Sequence, residues 1–443
     1  AVGAPVAPTR ANAKQGGDQA GGATATLRWT VGSNNGWAIA SYFVTPFANG
    51  VALPPRAFAA PASQALLTGL GYGKTYTFKV AAKNANGTGP RSAPSWPIKL
   101  SCTGTAMVNG QSDINAAPSG TTFCLSGVHH WTLTPKSGDK FIGPAILDGA
   151  HSPVFAIRGN GTSGVVLSAL EVRNYGVADP DAAISGHGTT GWIFRDLLVH
   201  DNGTSGGGGT GADLGVKSKV LGGRYYNNRE LGIGGGGGAD GWFISGAEID
   251  HNNFTNDTYT TRNINCGYQA GGVKWTADNT TIQNSTIHDN ACKGLWADLN
   301  ADNTKILDNV VYRNWDEGIF IEISSGAIVT GNTVNRNGLR NYNGDGSGCP
   351  WLWGGGITLA SSDHAVVANN SLAGNCNGIT GTQQTRLDGN PGLLSDDSIH
   401  DNVIKGPGGR TGVAADNGAD LTTRHIVFSS NTFSDHTFCA LHC

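Results

Sequence analysis

Charge of either sign is scarce in this sequence of 443 residues, and long apolar runs are absent. Charged side chains make up 14% of the chain and the formal net charge is −3, so neither a basic surface for nucleic acid nor an acidic tail is expected. No run of about 18 apolar residues occurs, which predicts that no helix spans a membrane. Methionine occurs once, whereas glycine occurs 68 times. This composition favours a turn-dense protein built from β-strands.

The first residues and the cysteines bear on location. The chain begins Ala1-Val2-Gly3, with neither Met nor an apolar leader, and this start predicts a processed secretory protein. Eight cysteines agree with that prediction, because disulfides persist in oxidising compartments. We therefore expect a secreted, extracellular protein.

A short motif returns along the second part of the chain. It consists of a few apolar residues followed by an Asn/Asp-rich turn, as in 282–290, 306–314 and 328–337. These copies begin 24 and 22 residues apart, and repeats of roughly 20 to 50 residues indicate a solenoid. Asparagine suits the tight corner between short strands. Residues 101–443 therefore resemble the right-handed parallel β-helix proteins.

Residues 1–100 show a different pattern, with short alternating strands separated by turn residues. This segment resembles a fibronectin type III module in Trp29, Tyr42, the sequence 70–76 and the sequence 82–90. The resemblance implies a β-sandwich in which Tyr76 is the tyrosine-corner residue. The predicted fold is thus all-β, with a sandwich over 1–100 and a parallel β-helix over 101–443. The module is expected to fold autonomously and to act as a spacer.

The eight cysteines fall into four pairs. The two middle pairs are 26 and 27 residues apart, which is about one coil, and residues one coil apart stack at roughly 4.8 Å, within reach of a disulfide. We predict four structural disulfides: Cys102–Cys124, Cys266–Cys292, Cys349–Cys376 and Cys439–Cys443.

Strand alternation orients three successive coils of the predicted β-helix. In 294–299 and 318–323 every second residue is apolar, so the residues between them point outward. Leu299 belongs to the set that is predicted to point inward. Two outward rows follow, one of Lys274, Trp296, Phe320 and Thr358, and the other of Thr276, Asp298 and Glu322.

Asp298, Glu322 and Lys274 are the candidate catalytic residues. Two carboxylates one strand spacing apart have the separation that retaining glycosidases use. Lys274 would instead be the base of a polysaccharide lyase, removing the proton beside a uronate carboxyl group, and a carboxylate would then hold a calcium ion. No other cofactor or metal is indicated. The alternative is a solvated carboxylate that keeps the sheet from pairing with another.

Aromatic residues supply the predicted substrate-binding surface. Outward-facing Trp296 and Phe320 would form an apolar platform for a sugar ring. Two long insertions, 254–270 and 338–355, bracket these coils, and loops on a regular scaffold commonly carry function. The insertions add the other predicted substrate-binding residues, which are Tyr268, Arg340, Tyr342, Trp351 and Trp353.

A second candidate location lies upstream, where His187, Asp213 and Glu230 are assigned to the same strand position. The glycine runs 206–209 and 234–238 obscure the coil phase there. Neither run has the pattern of a phosphate loop or a calcium-binding repeat, so both are interpreted as turns.

The strands of 294–299 and 318–323 resemble those of bacterial β-helix-repeat proteins grouped with carbohydrate-active enzymes, over about residues 140–435. The resemblance implies binding of an extracellular polysaccharide in a groove along the helix, and its cleavage by hydrolysis or β-elimination. The alternative is a non-enzymatic adhesin or structural subunit that self-assembles into a surface layer or filament. Asn-x-Ser/Thr sequons would carry glycans only if the producing cell glycosylates.

Overall fold

A computed structural model of the chain describes residues 2–19, 22–152, 154–255, 259–340, 350–385, 392–406, 409–415 and 420–441. Within these ranges the protein is almost entirely β, with one short helix, Gln111–Ala116. None of the helices in the described ranges is long and apolar enough to cross a membrane. The predicted all-β class is confirmed.

The N-terminal part is a two-sheet sandwich. One sheet is antiparallel and contains Thr9–Gln19, Gly22–Thr30 and Gln64–Leu70. The other sheet contains Ser41–Ala48, Val51–Ala52, Arg56–Ala59, Thr75–Asn84, Gly87–Thr88 and Ile98–Lys99.

Aromatic residues fill the sandwich as the resemblance to a fibronectin type III module implied. Trp29, Tyr42 and Tyr76 are buried, and the rings of Trp29 and Tyr42 have centroids 5.2 Å apart. The hydroxyl of Tyr76 accepts a hydrogen bond of 2.9 Å from the backbone N–H of Gly71. This bond satisfies a buried hydroxyl and fixes the corner before the Tyr76 strand.

The rest of the described chain winds through two long parallel sheets. Each regular coil adds one strand to the sheet that we call the front sheet and two strands to the other, the back sheet. The front-sheet strands are Ile157–Arg158, Ala182–Ser185, Thr210–Asp213, Leu231–Gly234, Gly271–Trp275, Lys293–Ala297, Ile319–Glu322, Gly355–Ala360, Asn377–Gln383, Arg410–Ala415 and Thr437–Leu441.

The back sheet begins at the first coil and runs the length of the solenoid. Its strands are Thr105–Ala106, Thr122–Cys124, Gly127–His129, Lys140–Asp148, Val166–Arg173, Ile193–Arg195, Leu198–His200, Lys219–Leu221, Arg224–Tyr226, Phe243–Ser245, Glu248–Asp250, Thr281–Gln283, Thr286–His288, Lys305–Leu307, Val310–Tyr312, Ile328–Thr330, Thr333–Asn335, Val366–Ala368, Ser371–Ala373, Ser398–His400, Val403–Lys405, Val427–Ser429 and Thr432–Ser434.

The repeated asparagines stack into buried hydrogen-bonded ladders at the corners. Each side-chain N–H donates to the side-chain oxygen of the asparagine in the next coil, at 2.9–3.1 Å. One ladder contains Asn202, Asn228, Asn252, Asn290, Asn314, Asn337 and Asn375. The ladders explain the repeat, because the amide satisfies corner backbone groups that are buried away from water.

Two of the four predicted disulfides are described with both partners. Cys102–Cys124 and Cys266–Cys292 form as predicted, and the second of them was the pair that coil spacing indicated. Cys376 and Cys439 are also disulfide-bonded. Their predicted partners, Cys349 and Cys443, lie outside the described residues.

The sandwich and the β-helix share apolar packing. Ile142 and Val166, from two back-sheet strands, belong to the core cluster that is otherwise formed by the sandwich. Lys74 of the sandwich also lies 3.9 Å from the carboxylate of Asp196. The sandwich and the β-helix therefore pack against each other through apolar residues and are not merely joined by a linker.

Removal of residues 1–100 should lower the melting temperature of the β-helix. Ile142 and Val166 are at most 4% exposed, and exposing a buried side chain of this size costs about 1.5–3 kcal/mol. The measurement is thermal unfolding of fragment 101–443 beside the full chain. The same fragment with Ile142→Ser and Val166→Ser should be more soluble than the unchanged fragment, because two exposed apolar side chains are removed. Its melting temperature should stay below that of the full chain. Equal melting temperatures for the fragment and the full chain would contradict the shared core.

Candidate functional site

The register of the front sheet places the upstream and downstream candidates on one outer row. Parallel pairing aligns Ser185 with Asp213 and Asp213 with Gly234. The next strand pairs Ile233 with Val273, so Lys274 follows Gly234 in the row. Asp213 and Lys274 are thus two strand spacings apart, roughly 9–10 Å, with a glycine between them.

The same row continues as the sequence predicted. Lys274 pairs with Trp296, Trp296 with Phe320, and Phe320 with Thr358. The predicted row is therefore confirmed. Its extension back to Asp213 was obscured by the glycine run.

A cavity of about 400 Å³ opens where glycine replaces a side chain in the row. Its lining residues are Pro180, His187, Thr210, Asp213, Gly234, Gly235, Gly236, Gly237, Tyr268, Gln269, Lys274, Thr276 and Leu299. A Cβ atom at Gly235 would collide with the carboxylate of Asp213, and one at Gly236 with the hydroxyl of Thr276. The glycine run that was interpreted as a simple turn forms the floor of this cavity.

Asp213 occupies the last position of its strand and faces the cavity with 17% of its side chain exposed. Burial raises the pKa of Asp213 to about 7, and the nearby charge of Asp181 adds to the rise. Nδ1 of His187 lies 3.9 Å from Oδ2 of Asp213. A carboxyl group that titrates near neutrality holds both protonation states at neutral pH, which suits acid–base catalysis.

Lys274 lies on the other side of the glycine floor. Its Nζ donates to the carbonyl oxygen of Tyr268 at 2.6 Å and lies 2.9 Å from Oδ2 of Asp298. Nζ also lies 3.7 Å from the centroid of the Trp296 ring, a cation–π contact. An ammonium group has three donors, so one remains for a ligand in the cavity.

The two downstream carboxylates are largely buried and already bonded. Asp298 is 6% exposed and Glu322 is 8% exposed. Oδ1 of Asp298 accepts the backbone N–H of Leu299 at 2.8 Å. Glu322 accepts the indole N–H of Trp296 at 3.0 Å and the amide of Gln384 at 3.2 Å. Each carboxylate positions a neighbour, and neither lines the cavity.

The prediction that Trp296 and Phe320 form an exposed aromatic platform is wrong, because both side chains are buried. Trp296 is 3% exposed and Phe320 is 2% exposed, and both pack with Ala360 and Trp353 in a small cluster outside the coil interior. The side chains do point away from the main core, but Trp353 of the second insertion covers them, with ring centroids 6.1 Å from Phe320. Trp296 contacts Lys274, and neither Trp296 nor Phe320 offers an exposed surface to a sugar.

Leu299 was assigned to the interior, and this prediction is also wrong. Its φ is +49° and 48% of it is exposed, because the strand ends at Ala297 and alternation no longer applies. It forms a wall of the cavity.

The structure does not bring the predicted binding residues into one groove. Tyr268 is 58% exposed and lines the cavity. Arg340 lies over the ring of Trp315 at a corner of the solenoid, and Trp351 lies under the guanidinium of Arg410. Tyr342 lies outside the described residues.

Asp213 pairs with Ser185 rather than with His187, so the assignment of His187 to the strand position of Asp213 is wrong. Glu230 precedes its front-sheet strand and does not share the row of Asp213 either, so its assignment to that position is also wrong. It is 1% exposed, and its Oε2 accepts the backbone N–H of Gly209 at 3.0 Å. Burial raises the pKa of Glu230 to about 7. This buried carboxyl group holds the glycine loop 206–209 against the cavity wall.

One described group of three side chains has the spacing of metal ligands: Glu248, Asp250 and His288, on the back sheet. Asp250 already accepts two hydrogen bonds of 2.7 Å from Arg224, and His288 bonds Asp289. These side chains already bind protein partners, so the three residues are better described as part of an ion-pair network than as a metal site. Asp298 and Glu322, assigned to calcium in the lyase scheme, belong to no such group within the described ranges.

Two known families resemble separate parts of the chain. The profile of the fibronectin type III domain matches residues 15–97, and that of the right-handed β-helix region matches residues 182–371. The chain is a fibronectin type III domain followed by a right-handed β-helix. Apart from Pro180, the lining residues of the cavity, including the glycine floor and Lys274, lie within the matched part of the β-helix. No curated protein matches the sequence.

Solved structures resemble each part separately. Domains A168-A170 of titin are 24% identical over 22% of this chain and 32% of theirs, with a TM-score of 0.19. The FN1-FN3 domains of chicken CNTN1 are 19% identical over 24% of this chain and 37% of theirs, with a TM-score of 0.19. The chain thus spans about a third of these two structures. The A-module of the Azotobacter vinelandii mannuronan C-5 epimerase AlgE6 is 12% identical over 74% of this chain and 93% of that chain, with a TM-score of 0.44.

Proposed function

We propose that the protein cleaves a uronate-containing extracellular polysaccharide in the cavity between Asp213 and Lys274. The observation that carries the proposal is Asp213, a buried carboxyl group with a pKa of about 7 that faces an open cavity. A proton acceptor of this kind, opposite a fixed ammonium group, suits removal of a proton beside a carboxylate. Glycine between the two leaves room for a sugar ring.

Three cavity residues, Asp213, His187 and Lys274, each have one role in the proposed β-elimination. The carboxylate of Asp213 takes the proton from the carbon beside the uronate carboxyl group, and the electron pair of that C–H bond forms a carbon–carbon double bond. The glycosidic C–O bond then breaks, and His187 donates a proton to the departing oxygen. The ammonium group of Lys274 neutralises the uronate carboxylate, which stabilises the charge that develops there.

This assignment moves the base from Lys274 to Asp213. Lys274 is held by Tyr268, Asp298 and the ring of Trp296, which suits a fixed cation better than a proton acceptor. The hydrolytic scheme, with Asp298 and Glu322 as acid and nucleophile, remains the second candidate. It would require both carboxylates to leave their present hydrogen bonds.

Location and domain organisation belong to the same proposal. We place the protein outside the cell, since the paired cysteines favour an oxidising compartment. The fibronectin module would occupy 1–100 and the β-helix 101–443, with Cys102–Cys124 tying the junction to the first coil.

The test is a screen of acidic and neutral polysaccharides for new reducing ends and for absorbance at about 235 nm, which reports the unsaturated product of β-elimination. Both signals together on a polyuronate support the proposal. Reducing ends without the absorbance would favour the hydrolytic scheme. No cleavage, together with ordered assemblies by size exclusion and electron microscopy, would favour the structural-subunit alternative.

The pH profile should follow Asp213. As a base, Asp213 acts in its ionised form, so kcat/KM should rise with pH and reach half of its plateau near the pKa of about 7. The rising limb reports the free enzyme. Initial rates from pH 5 to 9 at constant ionic strength measure it. A rate that falls through pH 7 would mean that Asp213 acts as an acid instead.

A further inference from the structure

A second pocket lies at the corner where the back sheet turns into the front sheet. Its volume is about 260 Å³, and none of its lining residues lines the cavity of Asp213. Both long insertions reach it, since Phe254 and Tyr259 come from the first and Arg340 from the second. We call it the corner pocket.

Positive charge dominates the corner pocket. It contains three arginines, Arg313, Arg336 and Arg340, against one carboxylate, Asp289. Arg313 is committed, because its Nε donates to Asp289 at 2.7 Å and its Nη2 donates to the same carboxylate at 2.5 Å. Arg336 and Arg340 are exposed, and within the described ranges neither guanidinium makes an ion pair or hydrogen bond. Their donors are available to a ligand.

Aromatic rings form the wall beside these arginines. Trp315 is half-buried and meets Phe254 edge-on, with centroids 5.2 Å apart. The guanidinium of Arg340 lies 4.7 Å from the centroid of Trp315. Aromatic faces bind the apolar face of sugar rings, while the guanidinium fork binds carboxylate or sulfate groups in two-point fashion.

The site extends beyond one sugar. A neighbouring depression of about 440 Å³ shares Arg313 and Arg336 with the corner pocket and continues along the corner past Tyr312 and Gly374. Arg336 therefore lies between two depressions. A polymer with repeated negative charge fits this arrangement better than a single small anion.

We propose that the corner pocket and its neighbouring depression bind an acidic glycan at a site separate from the cavity, with Arg336 and Arg340 holding its carboxylate or sulfate groups. This goes beyond the proposed function, because binding there requires no cleavage. A polysaccharide held at the corner would raise the local concentration of chain segments available to the cavity.

The test is calorimetric titration of the full chain with three hexasaccharides: an oligogalacturonate, a heparin fragment and a neutral cello-oligosaccharide. Every titration uses a chain that carries Asp213→Asn, which blocks turnover. The comparison chain carries Arg336→Gln and Arg340→Gln in addition. The matched control is Arg410→Gln, because Arg410 is also an exposed arginine over a tryptophan ring, Trp351, and lies outside the pocket.

The double arginine variant should bind at least one acidic hexasaccharide about 10-fold or more weakly, since it loses two charge-assisted contacts, while Arg410→Gln should bind as before. The oligogalacturonate and heparin arms identify whether the group is carboxylate or sulfate. Equal binding of the neutral sugar, or unchanged affinity in the double variant, would overturn the proposal. The proposal would also be overturned if a single-stranded polynucleotide bound more tightly than the acidic hexasaccharides and the double variant lost that binding. Failure of the proposed cleavage would leave these outcomes unchanged.

Discussion

Replacement of Asp213 by Asn should lower the rate of polysaccharide cleavage by about 10² or more, as is typical when a general base is lost. The amide has nearly the same shape but cannot accept the proton. The rise of kcat/KM with pH should also disappear in this variant, because the carboxyl group that titrates is gone. Steady-state rates on the substrate found in the screen provide the measurement.

The Asp213→Asn variant should remain folded. Burial raises the folded-state pKa of Asp213 to about 7, so ionisation of this group costs stability as the pH rises through that value. The uncharged amide removes the cost, and the variant should be at least as stable as the parent above pH 7. Asp308→Asn is the control, because Asp308 is exposed at a corner outside the cavity. Full activity in Asp213→Asn would move the catalytic centre elsewhere, first to Asp298 and Glu322.

Replacement of Asn290 by Ala should lower the free energy of unfolding by at least about 3 kcal/mol, because several buried polar groups lose their partners at roughly 1–3 kcal/mol each. Asn290 is fully buried. Its oxygen accepts two bonds from Asn252, at 3.1 and 2.9 Å. Its amide donates to the carbonyl of Ile249 at 3.1 Å and to Asn314 at 2.9 Å.

Asn284→Gly is the matched control for the ladder. Asn284 is also a corner asparagine, but it is exposed and has a φ of +50°, which glycine adopts without strain. We expect a change within about 1 kcal/mol. Chemical denaturation of both variants, followed by circular dichroism, provides the comparison. If the two substitutions cost the same, the buried ladder contributes little.

Sequence periodicity accounts for the regular parts of the molecule. Coil length predicted the Cys266–Cys292 disulfide. Strand alternation placed Lys274, Trp296 and Phe320 on one row. These features are local or repeat at a constant interval, so they can be predicted without coordinates.

Irregular coils limited the prediction of the site. Asp213 and Lys274 are 61 residues apart in a chain whose regular coil is near 24, and the insertion 254–270, whose path the sequence does not reveal, lies between them. Only the pairing of Asp213 with Gly234, and of Ile233 with Val273, shows that they share a row. The glycine run 234–238 was the one sequence feature that marks the cavity, but in the sequence such a run cannot be distinguished from a turn.

The sequence by itself determined the two-part β architecture, the corner asparagines and the outward row, because each depends on a short period. Tertiary structure alone decided what that row does. Trp353, 33 residues beyond Phe320, folds back to bury Trp296 and Phe320, and the glycine floor opens a cavity between Asp213 and Lys274. Burial and proximity arise when distant segments pack together, and no periodic pattern within a single coil encodes that packing.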